Sequence, residues 1–568
     1  MPKANSIFLI KISEMNNPNR HSMPIFDFSA LRHPWLWTPS LILAAFTAIF
    51  QAVIVARFGQ VFYPLDDPYI HMAMARHLAE HGIYGVSLAG FSGSSSAPGW
   101  TFLLAAGYRI LGAVSWLPLA INFLAGFVLL ALLAVHWRRH GGSRLTVIIG
   151  VAVLGFVLPW PVLASLGMEH TLHCLVVLIL VAVVARSLTQ QPARSSVLLL
   201  LAMSATLLRY ESGFVIAPLV VLLLFERRWR EAAVLAIGVA LPVLAIGLAQ
   251  MSQGWPFFPA SIVRKSVLEQ TGWQQVEQVF ARLYGQLFAM PPLTLAFWLV
   301  VLRMVWGLRQ GAFLRTQAGI GGFVFLIAAP LHTALASVGW YHRYEAYLLV
   351  IAAWALIPAW PAVGPFLNDL CAKQRSNPHR LLTSLTLGLL LLALIAPFSQ
   401  RAASFVELVP RARNVFQQQY QMGRFLHRYY EGEAVLANDI GMINYMTDLI
   451  CLDLMGLGSR EPTLASEQER FNAEFLQGWA RQHNAPIAVI YESWWLDRIP
   501  ETWFKIGEWT LDHRVSAAEA TVSFYATTPA SAMQLYNHLQ EYDPKLPDSV
   551  ESALATPVNQ SPAGDRSS

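Results

Sequence analysis

Two adjacent carboxylates, Asp66 and Asp67, stand in the run Tyr63-Pro64-Leu65-Asp66-Asp67-Pro68-Tyr69-Ile70. A carboxylate within hydrogen-bond reach of a hydroxyl can take its proton as a general base, and a pair can also hold a divalent cation through its oxygens. Pro68 suits a first helical turn and Asp67 a cap before it, at the head of an amphipathic helix from Pro68 to His81. One carboxylate then has a structural duty, and Asp66 is expected to be the free one. Further along, Gly167-Met168-Glu169-His170 sets an ionisable pair between two apolar stretches, and Arg209-Tyr210-Glu211 ends another. Carboxylates near membrane depth are costly and usually face a water-filled cavity; the plainer alternatives are a turn for the first and a local ion pair for the second. Arg264 and Lys265 follow Gly254-Trp255-Pro256-Phe257-Phe258-Pro259, and His342-Arg343-Tyr344-Glu345 follows a later apolar stretch. Arginine binds phosphate oxygens bidentately and lysine acts as a point charge, so these residues point to an anionic ligand. Taken singly, each also fits a lipid-headgroup anchor.

The elements that position these residues are apolar. Of 568 residues, 55% are hydrophobic and 13% charged, against about 25% charged in an ordinary soluble domain. The apolar residues form long runs such as Pro39 to Ala56 and Leu381 to Pro397, of roughly the 17 to 25 residues that a membrane helix needs. Leu41 to Val55 follows a long, mostly polar segment and is followed by Arg57, not by a small-residue cleavage site, so it is expected to remain as the first span. A net charge of +5 without basic-aromatic clusters excludes a nucleic-acid surface. Of three cysteines only Cys451 lies in the polar C-terminal third, which rules out a disulfide within that part.

Basic residues recur in alternate loops: Arg138, Arg139 and Arg144; Arg186 and Arg194; Arg227, Arg228 and Arg230; Arg303, Arg309 and Arg315; Lys373, Arg375 and Arg380. By the positive-inside rule these loops are cytoplasmic, and the loops carrying the carboxylates, His170 and Arg343 face outside. Trp100 to Leu111 is too short to cross and is expected to lie at the outer interface, flanked by Trp100 and Trp116. About eleven spans result, counting Thr38 to Phe58 as the first, Leu145 to Ala164 as the third, the short Val197 to Leu208 and Phe214 to Phe225 as the fifth and sixth, and Leu381 to Pro397 as the last. The short pair suggests broken helices lining a cavity. The expected organisation is a cytoplasmic segment 1–37, a transmembrane domain 38–399 with its first outer loop at 59–115, an extracytoplasmic α/β domain 400–540 and a disordered tail 541–568 rich in Pro, Ser and Ala.

The order of these motifs resembles a group of bacterial GT-C glycosyltransferases that includes mycobacterial arabinofuranosyltransferases. The resemblance rests on Asp66-Asp67-Pro68-Tyr69-Ile70, Ala79-Glu80-His81-Gly82 and Ser94-Ser95-Ser96-Ala97-Pro98-Gly99-Trp100, then Leu166-Gly167-Met168-Glu169, Leu208-Arg209-Tyr210-Glu211 and Arg343-Tyr344. In the polar third, Asn438-Asp439-Ile440-Gly441 and Leu452-Asp453-Leu454-Met455-Gly456-Leu457 are similar to the group's soluble-domain motif. The chain departs from the group at Ala73-Met74, at Tyr210 and at the serines before Pro98.

The resemblance implies a polytopic α-helical membrane protein of GT-C type with a small C-terminal α/β domain, in a bacterial cytoplasmic (inner) membrane. The implied donor is a polyprenyl-phosphate sugar, which suits a chain with no nucleotide-binding Gly-rich loop. The acceptor is an extracytoplasmic glycan, lipid or protein. Asp66 or Asp67 is expected to act as general base, with Glu169 orienting the acceptor or assisting a metal. Lys265, Arg343 and Arg209, with Tyr344, are expected to stabilise the leaving phosphate, and His170, Glu211 and Asp439 to support the acceptor side. A divalent cation on Asp66 and Asp67 stays open. A lipid-linked sugar transporter or flippase would use the same basic residues without catalysis, but predicts inverted repeats and charges inside the spans, which the sequence lacks. A non-catalytic anchor or sensor leaves the first-loop carboxylates without a purpose.

Overall fold

The computed structural model describes residues 32–263, 273–308, 315–361, 388 and 398–556. Six helices among them are long and apolar enough to cross a membrane: Pro34–Phe58, Leu117–Arg139, His170–Thr189, Trp229–Ser252, Pro291–Leu308 and Gln317–Leu335. Shorter apolar helices lie at Arg144–Val157, Ser195–Leu208, Tyr210–Phe225 and Ala346–Ala359. The chain is thus a polytopic helical membrane protein. The expected last span, Leu381 to Pro397, lies outside the described residues apart from Gly388.

Two expected elements change shape. The run from Leu145 to Ala164 is broken into helices Arg144–Val157 and Trp160–Ser165, because Pro159 and Pro161 lack the N–H that a continuous helix requires. The short fifth and sixth stretches are joined through a 3-10 turn, Tyr210–Ser212, which holds Glu211 beside Arg209 where the regular helix stops. Trp100 to Leu111 belongs to a helix, Pro98–Leu111, that packs on helix Asp67–His81. It buries Trp100, Leu104 and Tyr108 and exposes Ile110 and Leu111.

The C-terminal part carries one six-stranded sheet of order β2-β1-β3-β5-β4-β6. Its strands are β1 (Ala434–Ala437), β2 (Ile450–Asp453), β3 (Ile487–Ile490), β4 (Phe504–Leu511), β5 (Thr521–Ala526) and β6 (Val550–Leu554). β2, β1 and β3 are parallel and the remaining pairings antiparallel. The unbroken apolar runs of β1 and β3, buried at every position, are what a central strand covered on both faces requires. The expected disorder from 541 does not hold through 556: helix Pro529–Tyr542 runs into a 3-10 turn, and β6 pairs with β4. Alternation in Val550-Glu551-Ser552-Ala553-Leu554 supplies the edge-strand pattern that the tail's polar composition masks.

The first outer loop and the C-terminal domain share a core. Ala73 and Met74, where the chain departs from the group it resembles, are fully buried with Phe425, Val435 and Ile443. Those departures therefore serve packing between the two parts. Helix Asp67–His81 is consequently clamped between helix Pro98–Leu111 and the C-terminal domain, and its N-terminal end carries the two aspartates to the seam.

Candidate active site

Asp66 and Asp67 have exchanged the roles that local sequence suggests. Asp66 occupies the N-cap position of helix Asp67–His81, yet its side chain makes no capping bond there. Its carboxylate instead accepts hydrogen bonds from the backbone N–H groups of Gly441 (2.7 Å) and Met442 (2.8 Å), at the start of helix Met442–Met446. Free N–H donors at a helix start favour an anion, so the distant helix outcompetes the local cap. Gly441 permits this approach, since a Cβ there would lie 2.3 Å from the Asp66 carbonyl oxygen and 2.6 Å from Oδ2. Asp66 is therefore tied, not free, and Asp67 is the aspartate that faces the site.

Burial and the neighbouring Asp439 push the Asp66 carboxyl well above the ordinary range. Asp439, which accepts from Gln419 Nε2 at 2.9 Å and from the Tyr491 hydroxyl, is raised in turn by its own burial. A carboxyl whose folded value is raised binds more protons folded than unfolded, so it stabilises the fold at low pH. Its contribution fades as pH climbs from about 4, the unfolded range, through the raised value. Thermal unfolding in nanodiscs is expected to show the seam weakening between pH 5 and pH 8, and Asp439→Asn to flatten that dependence. A slope identical in wild type and variant would mean that Asp439 does not contribute to the raised value of Asp66.

Across from Asp66, Asp67 meets Arg343. The Asp67 side chain is 41% exposed, whereas that of Arg343 is 1% exposed, and Nη2 of Arg343 donates to Oδ2 of Asp67 at 2.6 Å. The same nitrogen donates to the Tyr344 hydroxyl at 2.9 Å, and Nη1 lies 2.8 Å from Met168 Sδ. Nε of Arg343 has no hydrogen-bond partner. The guanidiniums of Arg343 and Arg209 both lie over the Tyr344 ring, 4.9 and 5.3 Å from its centroid, a distance at which ring quadrupole and cation attract.

Arg209 is the hub of a buried ion-pair cluster. Its Nη1 donates to Glu169 Oε1 at 2.9 Å and lies 3.3 Å from His170 Nε2, and its Nε donates to Glu211 Oε2 at 3.1 Å. A second, shorter contact joins its Nη2 to Glu211. Its nitrogens are engaged by two carboxylates, which is the local ion pair that the sequence offers as the plainer alternative to a phosphate ligand. Glu169 is fully buried, and its Oε2 has no partner. The loop that delivers it turns at Gly167 (φ +71°), where a Cβ would stand 2.6 Å from the Tyr63 ring. Asn122 Nδ2 fixes the same loop by donating to the Met168 carbonyl at 2.7 Å.

Asp67, Glu169, His170, Arg209, Glu211, Arg343 and Tyr344 thus converge, with Asp66 and Asp439 beside them across the seam; Lys265 lies outside the described residues. Asn122, Gln419 and Tyr491 join them without any sequence signal, being single residues that gain meaning only from the contact, whereas Met168 lies inside the Gly167–His170 motif. Among the described residues no three His, Cys, Asp or Glu side chains are arranged to hold a metal ion. Chemically, the arrangement offers a partly exposed carboxylate, a buried cation with an open donor and a buried carboxylate oxygen. Gly441→Ala should force the seam apart, lowering the unfolding temperature and exposing the Asp67–His81 helix to limited proteolysis; unchanged digestion would show that the seam yields without cost.

Compared with known proteins, residues 413–525 match a family model described as a domain of unknown function (DUF8728). No curated protein matches the chain in sequence. Among solved structures it is similar to ArnT from Cupriavidus metallidurans in the apo state, at 14% identity and a TM-score of 0.50, over 86% of this chain and 98% of that one. It is also similar to ArnT from the same organism bound to undecaprenyl phosphate, at 13% identity and a TM-score of 0.49, over 87% and 98% of the two chains. The likeness to the apo structure is one of fold: the chain has the GT-C fold.

Proposed function

We propose that this protein is a membrane glycosyltransferase that takes a sugar from a polyprenyl-phosphate carrier and passes it to an extracytoplasmic acceptor, a cell-envelope glycan, lipid or protein. The observation that carries this reading is the Asp67–Arg343 pair, an accessible carboxylate bonded at 2.6 Å to a buried guanidinium. Sugar transfer from a lipid phosphate needs those two groups, one to accept the proton of the attacking hydroxyl and one to stabilise charge on the departing phosphate. The GT-C fold and the motif order support the same chemistry, and ArnT, whose fold the chain shares, has been crystallised with undecaprenyl phosphate.

Asp67 takes the proton of the acceptor hydroxyl. The hydroxyl oxygen then bonds to the anomeric carbon, and the carbon–oxygen bond to phosphate breaks with its electron pair going to the phosphate. Arg343 receives that charge through the donor at Nε, with Lys265 a second candidate. A phosphate on Arg343 also loosens its hold on Asp67, freeing the base as the donor arrives. Glu169 Oε2 orients the acceptor, while Arg209 and Glu211 fix Glu169 and Tyr344. Asp66 and Asp439 hold the seam together and take no part as base. The sugar is a hexose or a pentose, and the protein sits in the bacterial inner membrane with its N-terminus cytoplasmic and its C-terminal domain outside.

The test is the glycan profile of envelope polymers and surface proteins in a deletion strain carrying wild type, Asp67→Asn or Asp66→Asn, with membrane levels matched. Loss of one sugar, restored by wild type and not by Asp67→Asn, is expected. Full restoration by Asp67→Asn would end the assignment of Asp67 as base.

A further inference from the structure

Helix Trp273–Ala289 turns the wrong side outward for a soluble helix. At 100° per residue, Trp273, Phe280 and Tyr284 fall within about 40° of one another on its surface. They are 81%, 67% and 70% exposed. About half a turn away lie Gln278, Arg282 and Gln286, which with Ala281 and Gly285 line an open groove of about 430 Å³. An exposed aromatic stripe opposite a polar one needs an occupant other than water.

Chain geometry says what that occupant is. Two apolar helices long enough to cross a membrane, Trp229–Ser252 and Pro291–Leu308, bracket the segment, so the described residues 253–263 and 273–290 lie on one side of the membrane. Met290 alone separates helix Trp273–Ala289 from the second of them, which pins the C-terminal end of the helix at the mouth of a span. Gly254 shows which side this is, because a Cβ there would lie 2.8 Å from the Arg460 guanidinium of the C-terminal domain. A helix held at that depth has lipid headgroups and upper acyl chains beside it.

We infer that helix Trp273–Ala289 lies in the lipid–water interface of the leaflet nearer the C-terminal domain, with Trp273, Phe280 and Tyr284 immersed in lipid. The occupant is the bilayer itself. Aromatic rings favour the boundary between headgroups and acyl chains, and an amphipathic helix binds there through its buried apolar area. The Gln278–Arg282–Gln286 face then turns away from the acyl chains, toward the open groove that it lines.

Full-length protein in lipid nanodiscs tests this, spin-labelled one site at a time at Trp273→Cys, Phe280→Cys, Gln278→Cys and Arg282→Cys. Signal from the unaltered protein is subtracted, since Cys174 and Cys451 are buried and any label elsewhere is common to all samples. Collision with oxygen, which partitions into lipid, is expected to exceed collision with a water-soluble nickel chelate at 273 and 280, with the order reversed at 278 and 282. Greater nickel than oxygen access at 273 and 280 would place that face in water and overturn the inference. Protection from both reagents there would overturn it too, by assigning the stripe to a protein partner or a second copy.

Discussion

Arg343→Ala is expected to reduce sugar transfer by about 10²- to 10³-fold, the usual cost of deleting a donor aimed at developing negative charge. The protein should still reach the membrane, because the carboxylate left behind on Asp67 is 41% exposed and regains water. Arg343→Lys keeps the charge but loses the planar fork that reaches Asp67, Tyr344 and Met168 together. It should recover only part of the rate. Incorporation of the missing sugar in complemented deletion cells, normalised to membrane protein, gives the measurement. Full activity in Arg343→Ala would remove the leaving-phosphate role from this residue.

Arg209→Ala should act first on stability. It strands Glu169, whose side chain is 0% exposed, and Glu211, which is 19% exposed, without their common cation. Breaking a buried ion pair by deleting one partner costs about 3–5 kcal/mol, because the surviving charge stays in a poor solvent. The expected result is a clear fall in unfolding temperature in nanodiscs and lower membrane levels. Glu169→Gln in the Arg209→Ala background should restore part of the loss, since a neutral amide needs no counter-ion. If Arg209→Ala unfolds like wild type and loses activity alone, Arg209 is a ligand-binding cation and not the hub described above.

Much of this site is legible along the chain for a simple reason. Charges are expensive within apolar helices, so Glu169, Arg209, Glu211 and Arg343 stand out at the ends of apolar runs. The meeting of Arg209, Arg343 and His170 at the Tyr344 ring depends on how those helices pack. Lys265 stands out in the same way and lies beyond the described residues. The break at Pro159 was within reach of local rules, whereas the ordered strand β6 was hidden by the Pro, Ser and Ala content around it.

What the sequence by itself determines is the solvent each segment needs and the chemistry each loop can offer. Apolar runs specify membrane helices, fully apolar short strands specify the centre of a sheet, and carboxylates with arginines specify a polar site between the two. What only the tertiary structure decides is which partner holds each carboxylate. Asp66 is held by backbone donors up to 376 residues away, and Asp67 by an arginine 276 residues away. Local capping propensity is worth about 1 kcal/mol. It is overruled by a second helix start that offers two N–H groups to a carboxylate leaving water, and no local pattern encodes where that helix will dock.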